Sequence, residues 1–110
     1  MKKVDGRTWT PGAALDALGK TKADFVTLFE QGTLEVEIYR PVGVDAQKPH
    51  TKDELYVVIA GTGTFVHGAE RTPFGPGDAL FVRAGIVHRF ADFTADFATW
   101  VFFYGPEGGE

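Results

Sequence analysis

Asp45-Ala46-Gln47-Lys48-Pro49-His50-Thr51-Lys52-Asp53-Glu54-Leu55-Tyr56-Val57-Val58-Ile59-Ala60-Gly61 passes from a polar loop interrupted by proline into an apolar run that a glycine closes. Leu55 to Ala60 is apolar at every position, as expected of a strand covered by core on one side and by a second sheet or subunit on the other. Side chains alternate across a strand. An inward Glu54 therefore takes Tyr56, Val58 and Ala60 inward with it and turns Leu55, Val57 and Ile59 outward.

A second stretch has the same grammar. Gly77-Asp78-Ala79-Leu80-Phe81-Val82-Arg83-Ala84-Gly85-Ile86-Val87-His88-Arg89-Phe90 is a short apolar strand, a glycine turn and a new strand opening at His88. By the same parity His88 carries Phe90 inward. His50 and His88 each stand where a strand meets a loop, the position from which a rigid scaffold presents functional groups. His67, beside Gly68 at the tip of a hairpin, reads as a solvent-exposed residue and not as a ligand.

Working outward, Leu34, Val36 and Ile38 alternate with Glu35, Glu37 and Tyr39, which predicts a half-buried strand with one apolar face. Phe97 to Tyr104 is apolar on both faces. Glycine turns at Gln31-Gly32, Gly61-Thr62-Gly63, His67-Gly68 and Gly75-Pro76-Gly77 space these runs as in an all-β sandwich or barrel. Before them, Thr10-Pro11 offers an N-cap and a first-turn proline and Gly19 a stop, so one short helix is expected. The organisation predicted is an arm with a helix over 1–24, a barrel over 25–104 and a flexible tail over 105–110. The surplus of apolar strand surface points to a homodimer.

A chain of 110 residues, 44% of them hydrophobic, has the size and apolar content for one domain with one core. With no cysteine, disulfides, thiolate nucleophiles and iron–sulfur clusters are excluded, and any metal must be held by histidine and carboxylate. Five Lys or Arg against two acids in residues 1–22 leave an acidic remainder, which repels phosphate backbones, so no nucleic-acid partner is expected. The sequence has no secretory signal and no apolar run near the roughly 20 residues that span a bilayer, which predicts a cytoplasmic protein with no membrane partner.

The two quoted stretches resemble the paired motifs of the cupin superfamily, G-(x)5-H-x-H-(x)3-E-(x)6-G and G-(x)5-P-x-G-(x)2-H-(x)3-N. Glu54 and Gly61 keep the motif's offset, and His50 takes the place of its second histidine. Gly77, Gly85 and His88 fall at their places, with Asp92 at the Asn position. Two departures stand out: Lys48 occupies the place of the first histidine, and Arg83 that of the proline.

The resemblance implies a double-stranded β-helix, the jelly-roll barrel of cupins, whose interior binds Fe, Mn, Ni, Zn or a similar divalent ion on His50, Glu54 and His88. Two imidazoles and one carboxylate leave positions open on such an ion for a substrate. Tyr56 and Lys48 are the expected proton-handling groups, and Gln47, Val58 and Phe90 the expected walls of a pocket for a small, partly apolar ligand. An inward Lys48 would repel the ion, whereas Gln47 or Asp53 could bend in to supply an oxygen. The function expected is that of a metal-dependent oxygenase, lyase or isomerase on a small carbonyl or carboxylate compound. The alternative is a non-catalytic binding or sensing module.

Overall fold

The computed structural model describes residues 8–45 and 47–110. Helix α1 (Pro11–Gly19) precedes eight strands among these residues: β1 (Phe25–Gln31), β2 (Leu34–Tyr39), β3 (Asp53–Ala60), β4 (Gly63–His67), β5 (Glu70–Phe74), β6 (Ala79–Val82), β7 (His88–Ala91) and β8 (Ala98–Tyr104). They form two antiparallel sheets, ordered β1-β2-β8-β3-β6 and β5-β4-β7. This is the all-β, two-sheet architecture that the sequence predicts, and among the described residues no strand pairing closes the two sheets into a complete barrel.

The helix forms for the expected reasons. Thr10 is extended at the N-cap and its Oγ1 accepts from the Ala13 amide at 3.1 Å, while Pro11 sits in the first turn. Ala14 and Leu18 are buried against Val26, Leu28 and Ile38. That contact reverses the sense of β2. Its apolar residues Val36 and Ile38 face outward, Ile38 beneath the helix, and Glu35, Glu37 and Tyr39 turn to the interior.

The floor of the interior is aromatic. Tyr56, Phe65, Phe74, Phe90 and Phe97 are buried together with Val58, Val82 and Val101, and Phe90 stacks at 4.7 Å from Phe97 and 4.9 Å from Tyr56. Such tilted and edge-on pairs add to the value of burial. Gly61 keeps this end closed. At φ +86° it lies against the backbone of Phe97, where a Cβ would fall 2.6 Å from the Phe97 Cα, so no other residue fits.

Val58 and Phe90, expected as pocket walls, lie within this floor; both are inward, as parity requires, but neighbouring rings cover them. The terminal residues, expected as a loose tail, are hydrogen-bonded to the body. Gly105 N donates to Thr33 Oγ1 at 3.0 Å, Gly108 N to Thr51 O, and Glu110 N to Asp53 Oδ2 at 3.0 Å.

Candidate functional site

The open end of the interior is polar, and strand register puts it together. Across the inner face, Glu35 of β2, Phe103 of β8 and Glu54 of β3 form one row, and Glu37, Val101 and Tyr56 the next. His50 enters from the loop before β3 and His88 from the first position of β7. Their sequence-distant segments are tied together directly: Gly85 N donates to His50 O at 2.8 Å and Ala84 N to Asp53 Oδ1 at 2.8 Å. Gly85 has φ +81°, a left-handed turn conformation open to glycine, and this turn delivers His88. Asp53, weighed above as a possible ligand, spends both carboxylate oxygens on the Ala84 and Glu110 amides, which hold its pKa below the usual range.

His50, Glu54 and His88 each offer a ligand atom within 4.8 Å of the other two. Glu54 is fully buried; its Oε1 lies 2.8 Å from Nε2 of His88 and 3.8 Å from Nε2 of His50. Ligands about 2 Å from one ion lie about 3 Å apart when they meet at a right angle, so the spacing suits a shared cation. Among the described residues neither Glu54 oxygen has a well-directed hydrogen bond. A buried carboxylate left in that state is costly.

The tautomers sharpen the point. His88 Nδ1 lies 2.8 Å from the Ile86 carbonyl, which can only accept, so Nδ1 carries a proton. Its Nε2 then points an electron pair at the Glu54 carboxylate unless a cation, proton or metal, stands between them. A backbone-oriented imidazole of this kind is a common support for a metal ligand. Burial lowers the His88 pKa, but the Glu54 carboxylate and the Ile86 carbonyl outweigh it and the net shift is upward. Burial depresses His50, partly offset by Glu54, and so favours its neutral form.

Around the trio lies a network that sequence reading only partly anticipates. Gln47 Oε1 is 3.1 Å from His50 Nε2 and accepts from Tyr56 Oη at 3.2 Å; Tyr56 Oη is also 3.0 Å from His88 Nε2. Burial and the adjacent Glu54 raise the Tyr56 pKa well above its ordinary value, so the phenol stays protonated. The buried Asp45 anchors this network. It accepts from Tyr39 Oη at 2.6 Å, Gln47 Nε2 at 2.7 Å and the Phe90 amide at 2.8 Å.

A cavity of about 310 Å³ opens beside the trio. His50, Glu54, Tyr56 and Gln47 line one side of it, and Glu37, Tyr39, Phe25 and Phe103 lie around the rest. Glu37 and Tyr39 were missed in the sequence. The signal was there, in the polar half of the β2 alternation, but that half reads as solvent-facing until the helix is seen to cover the apolar half. Burial, with Glu35 next, pushes the Glu37 pKa up to about 7, while Thr27 pulls it down.

Lys48 is not brought to this site. It is exposed and lines no part of the cavity, because Pro49 takes the chain out of strand alternation. His67 ends β4 opposite His88, half-buried where an exposed position was expected, and stands outside the trio. Asp92 adopts φ +52° and pairs with Arg71 at 3.4 Å, outside the trio.

Comparison with known proteins agrees with this architecture. An uncharacterized protein of Streptomyces coelicolor is 38% identical over 63 residues, 57% of this chain; the match spans 60% of that protein's length. The solved structure of a cupin 2 conserved barrel domain protein from Salinispora arenicola superposes with a TM-score of 0.69 at 18% identity, covering 92% of this chain and 91% of that one. A candidate mannose-6-phosphate isomerase of Ralstonia eutropha gives 0.54 at 26% identity, over 71% of this chain and 78% of that one. No helix among the described residues is long and apolar enough to cross a membrane. The family model of the cupin domain, Cupin_2, matches residues 31–104, and the chain belongs to that family.

Proposed function

We propose that this cupin is a metal-dependent protein of small-molecule chemistry, with a divalent ion, Fe, Mn, Ni or Zn, held by His50, Glu54 and His88. The observation that carries the reading is the fully buried Glu54 carboxylate, without a well-directed donor among the described residues, with its Oε1 2.8 Å from Nε2 of His88 and 3.8 Å from Nε2 of His50. A cation between Glu54 and His88 relieves both groups at once. When bound, such an ion polarises an oxygen of the ligand.

The chain's own residues supply the rest. Tyr56, kept protonated by burial, donates a hydrogen bond or a proton to a ligand oxygen beside the trio. Gln47 fixes His50 and Tyr56 and is itself fixed by Asp45. Lys48 takes no part, being exposed. Proton-transfer chemistry of the lyase or isomerase type suits these groups, and the similarity to a candidate sugar-phosphate isomerase supports an enzymatic role. The outer face of β6, β3 and β8, where Phe81, Leu55 and Phe102 stand in one row and Phe81 is 47% exposed, is the surface we assign to a homodimer.

Elemental analysis of tag-free protein tests the metal. About one ion per chain in the wild type, lost in both His50→Ala and His88→Ala, is the expected result. A wild type that stays metal-free under supplementation with each of the four ions would sink it. Light scattering of Phe81→Lys, expected to be monomeric where the wild type is dimeric, tests the interface.

A further inference from the structure

The cavity beside the trio has an unusual charge balance. Of its described lining residues none is Lys or Arg, while Glu37 and Glu54 are both carboxylic acids. The lysine of the adjoining outer recess, Lys52, is engaged by Glu35 at 3.2 Å and by the Thr33 carbonyl at 3.2 Å. Asp45 adds a further buried acid behind Gln47 and Tyr39. An anionic ligand entering here meets carboxylates and, among the described residues lining the cavity, finds no guanidinium or ammonium to receive it, apart from whatever ion the trio holds.

Aromatic rings complete the lining: Phe25 and Tyr39 pair on the Glu37 side, and Phe103 stands between Glu35 and Glu54, 5.0 Å from the His50 ring. Phe25, Tyr39 and Phe103 line the same cavity as Glu37. Glu37 and Tyr56 share a row but lie two strands apart, which at the usual strand spacing separates their backbones by about 10 Å. A few ligand atoms fit between them. Ring faces carry negative electrostatic potential, and rings combined with a desolvated carboxylate are the chemistry that binds ammonium and quaternary ammonium groups. The fully buried Glu54, which lines the same cavity and has no well-directed donor to either oxygen among the described residues, adds a second carboxylate that calls for a positively charged neighbour.

We propose that the cavity selects small molecules with a positively charged end, which sits between Glu37 and the rings of Phe25, Tyr39 and Phe103 while the other end reaches the His50, Glu54 and His88 trio. Glu37 is then the specificity-determining residue. The proposal deepens the functional reading by naming a ligand class for the same cavity, and it does not require the ion. It also separates this chain from an enzyme of sugar phosphates, whose ligands bring negative charge.

Choline and its uncharged carbon isostere 3,3-dimethylbutan-1-ol have nearly the same shape and differ in charge, so they isolate the effect. Their binding to chelator-treated wild type, measured by calorimetry at a pH above 7 where Glu37 is ionised, should favour choline by about tenfold or more. Glu37→Gln, a near-isosteric change checked for folding by circular dichroism, should abolish that preference; Phe103→Leu should reduce it. Equal binding of the pair, no binding of either at millimolar concentration, or a preference that survives Glu37→Gln overturns the proposal. Elemental analysis of the same wild-type preparation before chelation keeps the two readings apart. Metal without charge preference defeats only this inference, and charge preference without metal defeats only the metal reading.

Discussion

The two ends of the barrel interior are built on opposite principles. At the floor, Tyr56, Phe65, Phe74, Phe90 and Phe97 fill space with rings, and the tyrosine hydroxyl points away toward the mouth. At the mouth, carboxylates, imidazoles and an amide stand around an open cavity, and the buried Glu54 lacks a well-directed donor. The floor is optimised for packing, whereas the mouth carries an electrostatic cost that a cation between Glu54 and His88, proton or metal, relieves. The packed core and the proposed site therefore occupy different halves of the same strands, and β3 passes from one to the other between Glu54 and Val58.

Substitution at the two ends should separate these roles. The largest expected effect is at the floor: Phe97→Ala removes a fully buried ring and should cost about 3–5 kcal/mol in chemical denaturation. His50→Ala at the mouth, a third exposed, should cost under about 1 kcal/mol yet eliminate bound metal. Equal losses of stability at both positions would erase the distinction.

Glu37 gives a pH signature next in size. Its carboxyl is raised in the folded protein from 4.5 to about 7, so the folded state holds a proton that the unfolded state releases. Stability from this group is present in full below pH 4.5 and is lost as pH rises through about 7, amounting to about 2 kcal/mol after allowance for partial exposure. Metal-free Glu37→Gln should lack that decline, a difference visible in urea midpoints measured from pH 4 to 8. Parallel wild-type and variant curves would show that Glu37 is not desolvated in the folded state.

Glu54→Gln should act in two directions. It removes a buried charge and provides an amide that can donate to His88 Nε2, so the metal-free protein should gain about 1–2 kcal/mol. Metal affinity should fall about 100-fold or more in the same variant, read by competition with a chromogenic chelator. The smallest effect belongs to Lys48. Replacing it with His would restore the motif residue, but from an exposed position the substitution should leave metal affinity unchanged and stability within about 0.5 kcal/mol.

Much of this division was legible in the sequence. Inward parity of Glu54, Tyr56 and Val58 follows from alternation alone, and β3 shows it, with Leu55, Val57 and Ile59 less buried. The convergence of His50, Glu54 and His88 followed from motif spacing and is found in space. Which inward residues face an opening was not legible, since alternation gives a side of the sheet and no depth; Val58 and Phe90 accordingly lie in the floor. Glu37 was hidden because β2 alternates equally well in either sense, and only the packing of Ala14 and Leu18 decides which face is covered from outside. Asp45 lies in a loop, without periodicity to show that its carboxylate organises Tyr39, Gln47 and Phe90.

The latch between Gly85 and the His50 carbonyl also bears on the order of events during folding. His50 and Glu54 are neighbours in the chain, whereas β3, the β4–β5 hairpin, β6 and the turn at Gly85 separate them in sequence from His88. Closing so long a loop is a late and slow step in proteins rich in distant strand pairings. A guest that needs all three side chains can recognise only the finished molecule and draws the population toward it by mass action. The proposed ligand site would thus double as a checkpoint, reporting that three segments distant in the chain have come together.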